Sequence, residues 1–255
     1  MSELKDKVVL ITGADGNLGS GIAHVFAQAG ASVIVHSLRE STRANELAKE
    51  LRDIGVSAFQ VVGDICSEAD VDEMIEAAFQ QCGNVDVLVN NAGVQPVISL
   101  EEMTVEQWKQ VVNVNLNGTF IVSKKMASRM VHANVAGSII NIASVEASIP
   151  AMNHAHYDAS KAGVKMMTRN FALEFGKYGI RVNSVSPGLI DSDGRLAESW
   201  PAGYQSWMAG VPLRRTANTQ DIGRACVFLA SESASFISGH DLVVDGGMSA
   251  VAGWG

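Results

Sequence analysis

KVVLITGADGNLG, residues 7–19, decides how the rest of the chain is read. Four apolar residues, Val8 to Ile11, run straight into a turn with glycines at 13, 16 and 19, and an amphipathic stretch continues from about Leu18 to Ala29. A strand that enters a glycine-rich turn and then a helix presents unpaired backbone N–H groups and the positive end of the helix dipole to an anion such as a pyrophosphate. The same pattern also serves as an ordinary strand–helix turn, so its meaning depends on the remainder of the chain.

Beyond Ala29 the same alternation repeats. SVIVHS precedes a helical stretch from Thr42 to Ile54, FQVVGD precedes one from Ala69 to Gln81, and VDVLVNNAG, SIINIAS, IRVNSVSPG and HDLVVDGG supply four more strand-like runs. These runs do not alternate with polar residues, as befits strands covered on both faces. The expected fold class is therefore α/β, a doubly wound, Rossmann-like parallel sheet whose ligands bind beyond the carboxyl ends of the strands. Gly30, Gly55 and Gly83 each come after a helical stretch, and Thr104 with Gln107 forms a capping box before VEQWKQVVNVNLNGTFIVSKKMASRM, which reads as one helix. With 255 residues, 47% hydrophobic content, five prolines and no linker-like or repetitive stretch, the chain reads as a single domain over 1–255.

A formal net charge of -8 argues against nucleic acid or an anionic membrane as partner, since both are held chiefly by an excess of Lys and Arg. The apolar run near the start is too short for a signal segment or a span, which predicts a cytoplasmic protein. Cys66, Cys82 and Cys226 form no CxxC pair, which fits a reducing compartment. His154 and His156 form an HxH pair that could ligate a metal on a strand, but no third ligand is evident and no metal is expected.

The second strand ends VIVHSLRE, where an NAD site would place an acidic residue against the ribose hydroxyls. Ser37 stands there instead and Arg39 comes two residues later, a pair suited to the 2′-phosphate of NADP, although Arg39 reads equally well as a solvated surface charge. Asp15 pulls toward NAD, because a carboxylate about 4 Å from the extra phosphate opposes it by roughly 1 kcal/mol per unit charge when exposed. The balance leans to NADP over NAD.

HAHYDASKAGVKMMTRNFALEF contains YxxxK, and this i, i+4 spacing puts Tyr157 and Lys161 on one helix face, about 5–6 Å apart at Cβ. An ammonium there favours the phenolate and is expected to lower the tyrosine pKa, giving a group able to exchange a proton with an alcohol or carbonyl oxygen. An amphipathic helix with an exposed tyrosine has the same pattern.

Taken together, TGADGNLG (12–19), Asp64 in GDI, NNAG (90–93), Asn115 in NVNLNG, Ser144 in IINIAS 13 residues before Tyr157, YxxxK and Pro187–Gly188 in SPGLI resemble the short-chain dehydrogenase/reductases, in their compact subgroup of about 250 residues. The resemblance covers essentially the whole chain. It implies an NAD(P)-dependent oxidoreductase in which Tyr157 exchanges the proton, Ser144 holds the substrate oxygen, Lys161 binds the nicotinamide ribose and lowers the tyrosine pKa, and Asn115 holds a water that links Lys161 to solvent. It further implies a cofactor site built from Gly13, Asp15, Asn17, Leu18, Ser37, Arg39, Asp64, Ile65, Asn91, Ala92 and Gly93, with Tyr157, Lys161, Pro187, Gly188 and Ile190 at the nicotinamide end. One departure is plain: the subgroup carries glycine where this chain has Asn17. Asparagine tolerates left-handed backbone angles, so Asn17 is expected to keep the turn.

The segment 189–215, with Trp200, Tyr204 and Trp207, resembles the family's substrate lid, and those aromatics could equally anchor it on the body. Glu146, Asn153, His154 and His156 are more polar than a steroid or acyl pocket requires, which points to a sugar, sugar acid or polyol unless they face solvent. One alternative is a 3-oxoacyl-(acyl carrier protein) reductase, for which Lys124, Lys125, Arg129 and Arg169 would greet an acidic carrier. Another, of a different class, is a non-catalytic NAD(P)-binding regulator, which would not need Asn115, Ser144, Tyr157 and Lys161 together. Family members are commonly homotetramers, and the apolar stretches Val111–Met130 and Ala159–Phe175 are candidate contacts. The closing MSAVAGWG is a candidate cover for a pocket.

Overall fold

The computed structural model describes residues 3–250. Seven strands, β1 (Val8–Ile11), β2 (Ser32–Ser37), β3 (Ala58–Val62), β4 (Val87–Asn90), β5 (Ser138–Ile142), β6 (Arg181–Pro187) and β7 (Asp241–Val244), form one sheet in the order β3-β2-β1-β4-β5-β6-β7. Every pairing is parallel. Strand direction and the period of two explain the continuous apolar runs: Val9, Ile11, Val33, Val35 and Val89 enter one core layer, while Leu10, Ile34 and Leu88 between them enter the other. The first layer is closed by α1 (Asn17–Gln28), α2 (Thr42–Ile54) and α9 (Thr219–Ala230) through Phe26, Leu51 and Ile222. The second is closed by α3 (Glu68–Cys82), α5 (Thr119–His132) and α6 (Ala155–Phe175) through Met74, Met126 and Phe171.

The chain reverses its direction of travel across the sheet between β1 and β4, and the crevice above that point is where a doubly wound sheet binds its ligand. TGADGNLG leaves β1 and NNAG leaves β4, so the two motifs meet there. Thr12 ties them: its hydroxyl accepts from the N–H groups of Asn91 (3.0 Å) and Ala92 (3.1 Å), and the Asn91 amide donates to the carbonyls of Thr12 and Gly13.

Two local expectations need correction. The stretch after the Thr104 capping box is not one helix: α4 (Val105–Val112) passes through a π-helical turn, Asn113–Gly118, before α5 begins. The reason is Asn115, whose amide reaches the backbone of Val94, with Gly118 lying so close to Ile65 that a Cβ there would sit 2.8 Å from its side chain. Asn17 is not left-handed either. It is the first residue of α1, and Gly16 before it is extended, so no positive φ is needed at position 17. The left-handed residue of the loop is Gly13, at φ 59. The capping box itself forms as expected, with Gln107 N–H to Thr104 Oγ1 at 3.2 Å and Thr104 N–H to Gln107 Oε1 at 2.9 Å. Residues 251–255 of the terminal MSAVAGWG lie outside the described residues.

Candidate active site

A cleft of 1060 Å³ opens above the carboxyl ends of β1, β2 and β4, a volume suited to a large ligand. Gly13, Asp15, Asn17, Leu18, Arg39, Asp64, Ile65, Asn91, Ala92 and Gly93 line it, and Tyr157 and Lys161 close its far end. The loop is built for close approach: a Cβ on Gly13 would lie 2.9 Å from the Ala92 Cα, and one on Gly19 would collide with the Gly13 carbonyl and lie 2.8 Å from the Asn91 amide. Gly16 caps α1 with no side chain, and Asn17, Leu18 and Gly19 open the helix, so their N–H groups lack intrahelical acceptors and edge the cleft. Residues of this kind fit the pyrophosphate of a dinucleotide.

Ser37 is a correction. It is fully buried, donating to the Arg39 carbonyl (2.8 Å) and accepting from Gln60 (2.7 Å), because the strand alternation turns it away from the cleft. His36, which sequence reading passed over, takes the place beside the loop. Its Nδ1 accepts from the Gly13 N–H at 3.0 Å and its Nε2 donates to the Gly63 carbonyl at 2.9 Å. A lone polar ring closing the apolar run SVIVHS was the available signal. Arg43 was also missed: it leaves the first turn of α2 and donates to Asn17 Oδ1 at 2.9 Å, bracing a residue of the cleft wall, while Arg39 lines the cleft itself.

At the other end, β5 and α6 deliver the reactive groups. Ser144 lies just past β5, and its hydroxyl accepts from the Glu146 N–H (3.1 Å), which fixes it at the start of a short 3-10 turn. Lys161 is buried, donates to the Ile142 carbonyl at 2.7 Å, and lies 5.6 Å from the centre of the Tyr157 ring. Asn115 accepts from the Val94 N–H (2.8 Å) and donates to the Val94 carbonyl (2.9 Å) and Ser160 (3.2 Å), clamping the NNAG turn to α6. The four residues thus converge, although more than 40 positions separate Asn115 from Ser160 alone.

The electrostatics differ from the expectation of a tyrosine acidified by its lysine. Burial pushes the Tyr157 phenol above its ordinary value, the charges of Glu146 and Asp158 push it further, and only the Ser144 hydroxyl pulls it back. Burial draws the Lys161 ammonium down to about 8. The lysine is committed to the β5 carbonyl, so in this arrangement desolvation outweighs its attraction for a phenolate.

Glu146 accepts from His154 Nδ1 at 2.8 Å and from Gln95 at 3.2 Å, and the His154 ring lies 6.2 Å from that of Tyr157. Burial raises the Glu146 carboxyl above its usual range while His154 works against the rise. Ligating atoms of Glu146, His154 and Asp158 lie within 4.8 Å of one another. The HxH pair is not on a strand: His154 caps α6 and His156, inside it, is fully buried with Nδ1 accepting from the Tyr157 N–H.

The remaining residues are more scattered. Asn153 is an exposed turn residue at φ 68. Pro187 ends β6, Gly188 donates to the Val244 carbonyl, and Ile190 pairs with Ala217, all at the same sheet edge but outside the large cleft. Trp207, on α8 (Pro201–Gly210), packs on Gly188 and lines a smaller cavity of 260 Å³, its indole N–H buried and without a partner among the described residues. Trp200, between α7 (Leu196–Ser199) and α8, is half exposed and lines neither cavity, because it caps α8 and its ring lies on the first turn of that helix against Gly203.

The family described as Enoyl-(Acyl carrier protein) reductase matches residues 13–249. The chain is 32% identical to glucose 1-dehydrogenase 2 of Bacillus subtilis, over 97% of this chain and 96% of that protein. It is 34% identical to 3beta-hydroxysteroid dehydrogenase 1 of Eggerthella lenta, over 99% and 97%. Its structure is similar, with a TM-score of 0.92 and 31% identity over 98% of each chain, to a gluconate 5-dehydrogenase from Burkholderia cenocepacia in complex with NADP and tartrate. The chain belongs to the short-chain dehydrogenase/reductase family, and it is an oxidoreductase that acts on CH–OH donors with a nicotinamide cofactor.

Proposed function

We propose that this enzyme interconverts a secondary alcohol and a carbonyl on a polyhydroxylated substrate, a sugar, sugar acid or polyol, with NADP preferred over NAD. The observation that carries the substrate class is the Glu146–His154 pair, bonded at 2.8 Å and set between Ser144 and Tyr157. The pair leaves His154 Nε2 buried with no partner among the described residues, a group that a steroid or acyl chain would leave unpaired and a substrate hydroxyl would satisfy, and discrimination comes from that difference. The bound nicotinamide supplies the hydride chemistry. Tyr157 holds and exchanges the proton of the substrate oxygen, Ser144 donates a second hydrogen bond to it, and Lys161, held by the β5 carbonyl, orients the nucleotide ribose. Asn115 keeps the NNAG turn and α6 in register for that work. The segment 189–215 serves as the lid, with Trp207 over Gly188.

NADP is favoured by Arg39 on the cleft wall, with Arg43 held beside it through Asn17, cations suited to a 2′-phosphate, against the opposing charges of Asp15 and Glu40 on the same cleft. The carrier-protein reading is weakened because two of its four cations are engaged in ion pairs, Lys125 with Glu68 and Asp72 and Arg129 with Glu76. We further propose that subunits associate, and that the protein works in the cytoplasm. Among the described residues, no helix is long and apolar enough to cross a membrane.

The deciding experiment is an oxidation screen of aldoses, aldonates, polyols and hydroxysteroids, with NADP and NAD in parallel and Tyr157→Phe as control. The expected outcome is the highest kcat/KM on a polyhydroxylated substrate with NADP, and a loss of about a hundredfold or more in Tyr157→Phe with nucleotide binding retained. A preference for hydroxysteroids, or faster reduction of an acetoacetyl thioester by NADPH in a companion assay, overturns the substrate class, and a preference for NAD overturns the cofactor. Hydride transfer on no substrate, with tight nucleotide binding, would instead support the non-catalytic regulator.

A further inference from the structure

Residue 36 makes three contacts that converge on the nucleotide turn. Its carbonyl accepts from the Ala14 N–H (2.8 Å), its Nδ1 accepts from the Gly13 N–H (3.0 Å), and its Nε2 meets the Gly63 carbonyl (2.9 Å). The partners leave one tautomer. A backbone N–H can only donate, so Nδ1 is the lone-pair nitrogen, and a carbonyl can only accept, so Nε2 carries the hydrogen. The ring is almost fully buried, with 2% of its surface exposed, so water cannot replace either bond.

We propose that His36, as a neutral Nε2–H imidazole, is a positioning residue that sets the nucleotide-binding turn, and that its protonation releases that turn. An imidazolium would direct a second N–H at the Gly13 N–H, two donors with no acceptor between them. Gly13 is left-handed and backs so closely on Ala92 that an added Cβ would lie 2.9 Å from its Cα, which limits its movement toward the NNAG turn. Any movement therefore passes to the start of α1 and to the NNAG turn, both of which line the cleft.

The charged groups around the ring are Asp15 from the first turn and Asp64 beyond β3, with Arg39 and Glu40 past the end of its own strand on the same cleft. The two aspartates and the Gly63 carbonyl favour the protonated ring, yet burial outweighs them and holds its pKa below the ordinary value. The clamp is therefore intact at neutral pH and opens only in acid. The inference rests on the nicotinamide-nucleotide site alone, so a preference for NAD or for another substrate leaves it standing.

The test is the affinity of NADP, by calorimetric titration between about pH 5 and 8, for the parent and for His36→Asn, whose amide oxygen keeps an acceptor near Nδ1 but does not titrate. The nucleotide's own 2′-phosphate titrates near pH 6 in both proteins and cancels in the comparison. The parent is expected to lose about tenfold more affinity than His36→Asn between neutral and acid pH, the worth of one bond replaced by opposed donors. In the ligand-free parent, nitrogen NMR of the ring should report the Nε2–H form at neutral pH, and the Gly13 amide resonance should titrate with it. Equal pH slopes in the two proteins, tighter binding in acid in the parent alone, or an Nδ1–H ring would overturn the proposal. If His36→Asn fails to fold, the ring tautomer and the Gly13 titration in the parent decide.

Discussion

Glu146 touches two groups at once, the imidazole of His154 by a hydrogen bond and the phenol of Tyr157 by its charge. It holds His154 at 2.8 Å, and its charge is the second largest cause, after burial, of the raised Tyr157 pKa. Alcohol oxidation needs the phenolate, so a neutral residue here makes the base easier to form. The expected result for Glu146→Gln is a pH profile of kcat/KM for oxidation displaced toward lower pH, together with a KM for a polyhydroxylated substrate raised roughly tenfold by loss of a charged hydrogen-bond partner. A profile displaced to higher pH would show that the carboxylate assists deprotonation. At this scale the catalytic set was legible, because Ser144, Tyr157 and Lys161 lie on one strand end and one helix face at short separations. His36 was not, since a histidine at a strand end has no meaning until Gly13 and Gly63 are beside it.

At the scale of an element, the opening of α1 separates two residues that the motif treats alike. Gly13 is left-handed and pressed on Ala92, so Gly13→Val combines backbone strain with a clash and should abolish measurable nucleotide binding, with a stability loss of about 1–3 kcal/mol in urea unfolding. Asn17 is an ordinary first-turn helical residue, so Asn17→Gly should hold nucleotide affinity within about threefold and cost no more than about 1 kcal/mol of helix propensity. A large loss of affinity in Asn17→Gly would assign the amide, or the Arg43 it holds, a direct part in binding. Helix starts and strand runs were readable from periodicity and caps. The π-helical turn at Asn113–Gly118 was not, because its cause is a tertiary bond from Asn115 to the Val94 backbone.

Large apolar side chains are exposed at several places across the molecule, and two of these bear on association. Leu173 (81% exposed) and Met166 (56%) stand on α6 near Phe120 on α5, and Phe236 and Val243 stand beside the edge strand β7. Scattered single exposures are ordinary, but a large exposed residue on an edge strand and a helix face that also bears aromatics suit contact with another subunit. Light scattering should therefore give a mass that is a multiple of 27.0 kDa, and Leu173→Lys with Met166→Lys should reduce it. A parent mass of one subunit would exclude subunit association.

The sequence by itself determined the seven strand-like runs of an α/β chain, the glycine turn and the pairing of Tyr157 with Lys161 on one helix face, because strand burial and i, i+4 spacing are properties of local order along the chain, whereas Asn115 and Ser144 were expected beside them only through the family resemblance. Only the tertiary structure decided that Ser37 faces inward while His36 and Arg43 meet the loop, and that Trp200 folds back on its own helix. It also decided the sign of the Tyr157 shift. Spacing places a lysine near a tyrosine, but burial and the charges brought in by Glu146 and Asp158 depend on how the whole chain closes around them.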